Sequence, residues 1–155
     1  MVNLNITALA AAASTFSIVD FQKRAVCDSL KLGLNNNPVI ADAIGTSQWS
    51  FVASSTVGVF TVQTTDAPTL SLSYPLAPNN GLTWSGAVLN NSPLPVNVLT
   101  VNTALNTVQI VILPGSGSEQ SARALTSWLG QNGSTTNALT WEINTGRVEQ
   151  IFTLV

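Results

Sequence analysis

Histidine is absent from the 155-residue chain, and cysteine occurs once, at Cys27. The first absence removes the commonest general base and the commonest metal ligand together. The second leaves no internal disulfide and no thiolate cluster for zinc. Charge is also scarce. Five Lys/Arg and seven Asp/Glu give a net charge of −2, and charged residues make up 8% of the chain. Ordinary soluble domains carry about 25%. The five cations are Lys23, Arg24, Lys31, Arg123 and Arg147. They are too few to neutralise a run of phosphates, so direct nucleic-acid binding is not expected. No apolar run reaches the ~18 residues of a membrane span.

Serine, threonine and asparagine fill the gap, with 49 of the 155 residues. Apolar residues supply 45%, enough for a core, and the length fits a single domain spanning residues 1–155. The surface is therefore rich in hydroxyls and amides and poor in charge. Such a surface is weakly protected against association. It suits a subunit packed among others, or a secreted domain.

Along residues 6–34, Leu9, Ala12, Phe16, Val19, Val26, Leu30 and Leu34 recur at spacings of three, four or seven. Ile18, Phe21, Ala25 and Leu32 form a second stripe. The spacing predicts a long N-terminal helix, apolar over most of its girth, ended by Asn35–Pro38. The stretch Ile6–Ser14 reads as its first turns rather than a secretory leader, because no basic segment precedes it. Residues 1–37 thus form a helical segment, followed by a β-rich body over 38–155. A helix of this kind needs cover on more than one side. Leu9, Phe16, Ile18, Val19, Phe21, Val26 and Leu30 are its candidate assembly interface.

After Pro38 the period changes to two. Strands are expected over Trp49–Ala53, Thr56–Thr64, Thr69–Tyr74, Leu82–Leu89, Pro95–Val101 and Thr107–Leu113. The last is apolar on both faces and should be central. A second helix is expected near 118–129. The chain should close with a hairpin turning at Thr145-Gly146. That register places Leu139, Trp141, Ile143, Val148, Phe152 and Leu154 on one buried face, and sets Glu142 opposite Glu149. No internal sequence repeat is visible. The predicted fold class is α+β, with a mainly antiparallel, sandwich-like sheet.

The loop Pro114–Gln120 has the order strand, Gly/Ser loop, helix that often cradles a phosphate. It lacks the lysine of a Walker loop and the third glycine of a dinucleotide fingerprint, and Glu119 would oppose an anion. It reads as a connection with a helix cap. Ser116 and Ser118 lack a base, and Cys27 reads as a packed core thiol. No catalytic, cofactor-binding or metal-ligating set emerges. Glu142, Arg147 and Glu149 form a candidate surface carboxylate cluster, of a kind that glycosidase or calcium chemistry would need. Trp84, after an Asn-Asn-Gly turn, is the candidate exposed aromatic, while Trp49 and Trp141 alternate in phase with core positions. Asn5, Asn90 and Asn132 begin glycosylation sequons.

These readings favour a non-enzymatic, self-assembling structural subunit of coat, tube or filament type, whose partners are copies of itself. The alternative is a secreted β-rich module of lectin or cytolysin type, binding a glycan or a membrane surface. The single Tyr74 weighs against several stacked aromatics. A carboxylate-dependent hydrolase is a third, minor option. The corresponding setting is an assembled particle, or the extracellular space under the alternative.

Overall fold

A computed structural model describes residues 15–29, 36–74, 84–112 and 122–155. Every regular element among them is a β-strand, apart from one 3-10 turn at Val148–Gln150. The strands are β1 (Thr15–Phe16), β2 (Ile18–Val19), β3 (Ala25–Asp28), β4 (Val39–Asp42), β5 (Trp49–Ala53), β6 (Val59–Thr64) and β7 (Ser71–Ser73). They continue with β8 (Trp84–Gly86), β9 (Val88–Asn90), β10 (Val96–Asn102), β11 (Thr107–Ile112), β12 (Arg123–Trp128), β13 (Thr136–Ile143) and β14 (Phe152–Leu154).

One ring of pairings runs β1–β5–β6–β10–β11–β14–β2. β1 and β2 are one strand interrupted at Ser17, whose N–H and C=O pair with Val155 at 2.8 and 2.9 Å. The ring therefore closes into a barrel of seven segments. A closed barrel leaves no edge strand for another chain to extend. Ile18, Trp49, Phe60, Val62, Val98, Ile110, Phe152 and Leu154 from its strands are all buried.

Three hairpins interrupt the barrel at regular points in the chain. They are β3–β4, β7–β9 and β12–β13, with central registers Val26↔Ala41, Leu72↔Leu89 and Leu125↔Trp141. Chain order is thus barrel strand, hairpin, barrel strand, three times over. The return strands of the hairpins meet. The Val39 N–H donates to Ala87 O at 2.9 Å, the Ala87 N–H donates to Leu139 O at 3.0 Å, and Ala138 pairs with Ile40. The meeting point is apolar and buried, which is what fixes the hairpins against one another.

The fold is all-β, and three sequence expectations are overturned. There is no long N-terminal helix in the described part of residues 6–34. Residues 15–28 form β1, β2 and β3, joined by a tight turn at Asp20–Arg24. The Asp20 carboxylate accepts the N–H groups of Gln22 and Arg24, each at 2.9 Å, and Lys23 sits at φ +65. That aspartate turn stops any helix. Asp20, Lys23 and Arg24, which the helix reading would place along one helix, belong to the turn instead. Leu9 and Leu30 lie outside the described residues.

The second helix is likewise absent from its described part. Residues 123–128 are β12, paired with β13 over six consecutive positions. The closing hairpin does not form either. β13 is flanked by β12 on one side and by β4 and β8 on the other, so it has no free edge for β14. β14 instead completes the barrel between β11 and β2. Leu139, Trp141, Phe152 and Leu154 are buried as expected, but Ile143 and Val148 are 48% and 54% exposed. The strands expected over 49–112 are present with shifted boundaries, except that the one expected over Leu82–Leu89 is divided into β8, paired with β13, and β9, paired with β7; β11 is central, paired with β10, β12 and β14.

Candidate functional site

The third hairpin carries the site. The register Thr126↔Thr140 and Ala124↔Glu142 brings Thr126, Trp128, Thr140 and Glu142 to one face, because alternate residues of paired strands share a side. Trp128 closes β12 and is 40% exposed. Its indole N–H donates to Thr140 Oγ1 at 2.7 Å and lies 3.3 Å from Glu142 Oε1. The Thr140 hydroxyl donates in turn to Glu142 Oε1 at 2.9 Å. A large exposed ring is thus held by its edge, which reduces the rotamer entropy that a ligand would otherwise have to remove. Among the described residues, Glu142 Oε2 has no hydrogen-bond partner.

A loop folds over the same face. The buried Gln150 side chain anchors it. Its Oε1 accepts from Thr145 N at 2.9 Å and Gly146 N at 3.0 Å. Its Nε2 donates to Ile143 O at 2.9 Å and Thr126 Oγ1 at 3.2 Å. Gly146, at φ +73, lets the chain reverse there. The loop delivers Arg147, whose guanidinium carbon sits 4.6 Å above the centre of the Trp128 ring. This is cation–π geometry. Arg147 Nε is 3.9 Å from Glu149 Oε2, and among the described residues it has no hydrogen-bond partner.

Of the Glu142, Arg147 and Glu149 set read from the sequence, Arg147 lies 3.9 Å from Glu149 and over the Trp128 ring, whose N–H reaches Glu142, and the two glutamates are not opposed strand residues. Glu142 stands opposite Ala124 on one side and the Trp84 backbone on the other, while Glu149 sits in the 3-10 turn. Trp128 joins them, and the sequence reading missed it by assigning 118–129 to a helix. The available signal was the polar alternation Thr126, Trp128 against Thr140, Glu142. The side chain of Trp84 lies outside the described residues, as do Ser116, Ser118 and Glu119.

The helix-based assembly interface is dispersed. Ile18 and Val26 are buried in the chain's own core. Phe16 packs edge-on against Phe51 at 6.0 Å, and Val19 and Phe21 are half-buried. Cys27 is buried. No group of three or more metal-ligating residues occurs among the described residues, and none of their helices is long and apolar enough to cross a membrane.

A second polar cluster is closed to ligands. Asp20 Oδ2 accepts from Ser127 Oγ at 2.7 Å and Asn137 Nδ2 at 2.8 Å, while its Oδ1 takes the two turn amides. Arg24 donates to Asn137 Oδ1 at 2.7 Å and Ser134 O at 2.9 Å. Both carboxylate oxygens are used within the chain, so the cluster clasps the first repeat to the third.

A closed barrel with three strand–hairpin–strand repeats is a β-trefoil-like fold. No family model matches this sequence, and no curated protein matches it. Solved structures do. The Rhizoctonia solani agglutinin superposes with a TM-score of 0.73 at 9% identity, covering 94% of this chain and 96% of that one. A ricin B-like lectin of Macrolepiota procera, solved in complex with lactose, gives 0.67 at 13% identity, covering 94% and 96%. ThreeFoil, a designed 3-fold symmetric protein, gives 0.68 at 14% identity, covering 91% and 97%. At such identities the likeness is one of fold. The helix that motivated the coat-like reading is absent from residues 15–29.

Proposed function

We propose that this protein is a non-enzymatic glycan-binding module and that Trp128 is its sugar platform. The observation that carries the reading is an exposed indole pinned at its edge by Thr140 and Glu142. A sugar's C–H face stacks on an aromatic ring, and its hydroxyls need acceptors alongside. Glu142 Oε2 supplies an acceptor beside the ring. A surface rich in Ser, Thr and Asn suits neutral polyols better than charged polymers. Glu142 is held through its Oε1 by Trp128 and Thr140, and Glu149 lies 3.9 Å from Arg147.

The fold repeats three times but the site does not. The first-repeat positions matching Trp128, Thr140 and Glu142 are Ser29, Ile40 and Asp42, by the registers of the two hairpins. In the second repeat Val88 and Asn90 match Thr140 and Glu142. Binding at this site is therefore one ligand per chain. The test is calorimetric titration with lactose and a panel of neutral oligosaccharides. Trp128→Ala should weaken binding at least ~10-fold, as the loss of one aromatic anchor does. Unchanged affinity in that variant would reject Trp128 as the platform. Absence of binding across the panel would reject the glycan reading.

A further inference from the structure

The third hairpin turns at Gln131–Gly133, and the turn holds one of the chain's two Asn-Gly pairs, Asn132-Gly133. The other, Asn80-Gly81, lies outside the described residues. Asn132 is exposed. Among the described residues, neither its carboxamide nor the Gly133 N–H has a hydrogen-bond partner. Gly133 lies at φ +87, and no described atom comes within 4 Å of where a Cβ would stand. The turn is closed one residue further on, by the Ser134 N–H donating to Gln131 O at 2.8 Å.

The other described asparagines are placed differently, and none precedes glycine. Asn90 is 0% exposed, with its Nδ2 donating to Asn36 Oδ1 and its Oδ1 accepting from Ser92 N. Asn102 Oδ1 accepts from Ala104 and Leu105 N–H groups. Asn144 Oδ1 accepts from Gln109 Nε2 and Gly146 N. Asn137 is locked into the Asp20 clasp.

We infer that Asn132 is a site of spontaneous deamidation in the folded protein, needing only water as co-reactant. Hydroxide removes the Gly133 amide proton, and the nitrogen attacks Asn132 Cγ. The new N–Cγ bond closes a five-membered succinimide. The Cγ–Nδ2 bond breaks, and ammonia leaves after taking a proton from water. Water then opens the ring at either carbonyl, giving aspartate or isoaspartate. An unencumbered Gly133 nitrogen favours the attack, since any Cβ on the next residue crowds it. The product places a new carboxylate two residues from Ser134, whose carbonyl holds the Arg24 guanidinium. It also takes the net charge from −2 to −3, one unit more negative.

The experiment is incubation of the full folded chain in mildly alkaline buffer, followed by peptide mapping that separates asparagine, aspartate and isoaspartate. Asn132 should convert faster than every other described asparagine, with a rate that rises with hydroxide concentration. Gly133→Ala should slow conversion on the order of tenfold by crowding the attacking nitrogen. Because alanine is strained at φ +87, the pH profile of the unaltered protein serves as the second readout. Conversion of Asn90, Asn137 or Asn144 ahead of Asn132 would overturn the inference. So would a rate at Asn132 that does not change with pH.

Discussion

Two halves of the barrel and its cap are built from different chemistry. Between Asp42 and Glu119 the sequence contains a single charged residue, Asp66. The strands β5, β6, β10 and β11 come from this stretch and carry no charge. The β3–β4 and β12–β13 hairpins, with the turns beside them, hold Asp20, Lys23, Arg24, Asp28, Asp42, Arg123, Glu142, Arg147 and Glu149. In the uncharged half, order comes mainly from burial and backbone ladders, with short local caps such as Asn102 Oδ1 on the Ala104 and Leu105 amides, and Val52, Val57, Leu99, Val101 and Leu105 are left exposed. In the charged half, side-chain hydrogen bonds hold loops in place. Asp20 clasps the first repeat to the third, and Gln150 hangs the Arg147 loop over Trp128. The pinned tryptophan is in the second kind of half. Backbone ladders do not hold an exposed ring at a set angle, whereas convergent side-chain polar groups do.

The largest expected effect tests what the halves share. Trp49 and Trp141 are both fully buried, and each indole N–H donates to a carbonyl, Val26 O at 2.8 Å and Ser73 O at 3.0 Å. Trp49→Ala and Trp141→Ala should each cost about 3–5 kcal/mol in denaturant unfolding. A large inequality between them would show that packing does not carry the two halves alike. Next comes the clasp. Asp20→Ala strands two turn amides, the Ser127 hydroxyl and the Asn137 amide, and should cost roughly 2–4 kcal/mol. In the uncharged half, Asn102→Ala removes an exposed acceptor for two turn amides and should cost about 1 kcal/mol or less. Equal costs would erase the distinction drawn between the halves.

Gln150→Ala should cost roughly 1–3 kcal/mol, because it removes the acceptor of the Thr145 amide and the donor to Ile143 O and leaves the Gly146 amide only its longer bond to Asn144 Oδ1 at 3.2 Å. It should also free Arg147 from the Trp128 ring, which indole fluorescence or near-ultraviolet circular dichroism would report. The smallest effect is that of Arg147 itself. Its contact is half-exposed, and Arg147→Ala should cost about 0.5–1 kcal/mol. A larger loss would mean that Arg147 supports the loop rather than resting on the ring.

Period-two stretches were legible because one face of each is buried: Trp49, Phe51 and Phe60, Val62 point inward in turn. Residues 15–28 misled for a physical reason. Ile18 and Val26 are spaced as on a helix, yet they sit on separate strands joined by the Asp20 turn. Apolar spacing alone does not distinguish the two arrangements. The threefold plan was hidden because equivalent core positions hold different residues. Val26, Leu72 and Leu125 match one another in the hairpins, as do Ala41, Leu89 and Trp141. The first trio is one valine and two leucines, the second runs from alanine to tryptophan, and packing needs only that the volumes compensate. At the candidate site, Glu142, Arg147 and Glu149 were legible as charges in a charge-poor chain. Their relation through Trp128 was not, because it depends on the loop that Gln150 holds.

The most direct measurement of the central claim is the indole N–H spectrum of the four tryptophans during a lactose titration, with Trp128→Ala assigning the resonance. The Trp128 resonance should shift and saturate at one ligand per chain. Those of Trp49 and Trp141, buried and bonded to carbonyls, should stay in place. A saturating shift elsewhere with Trp128 unmoved would contradict that claim.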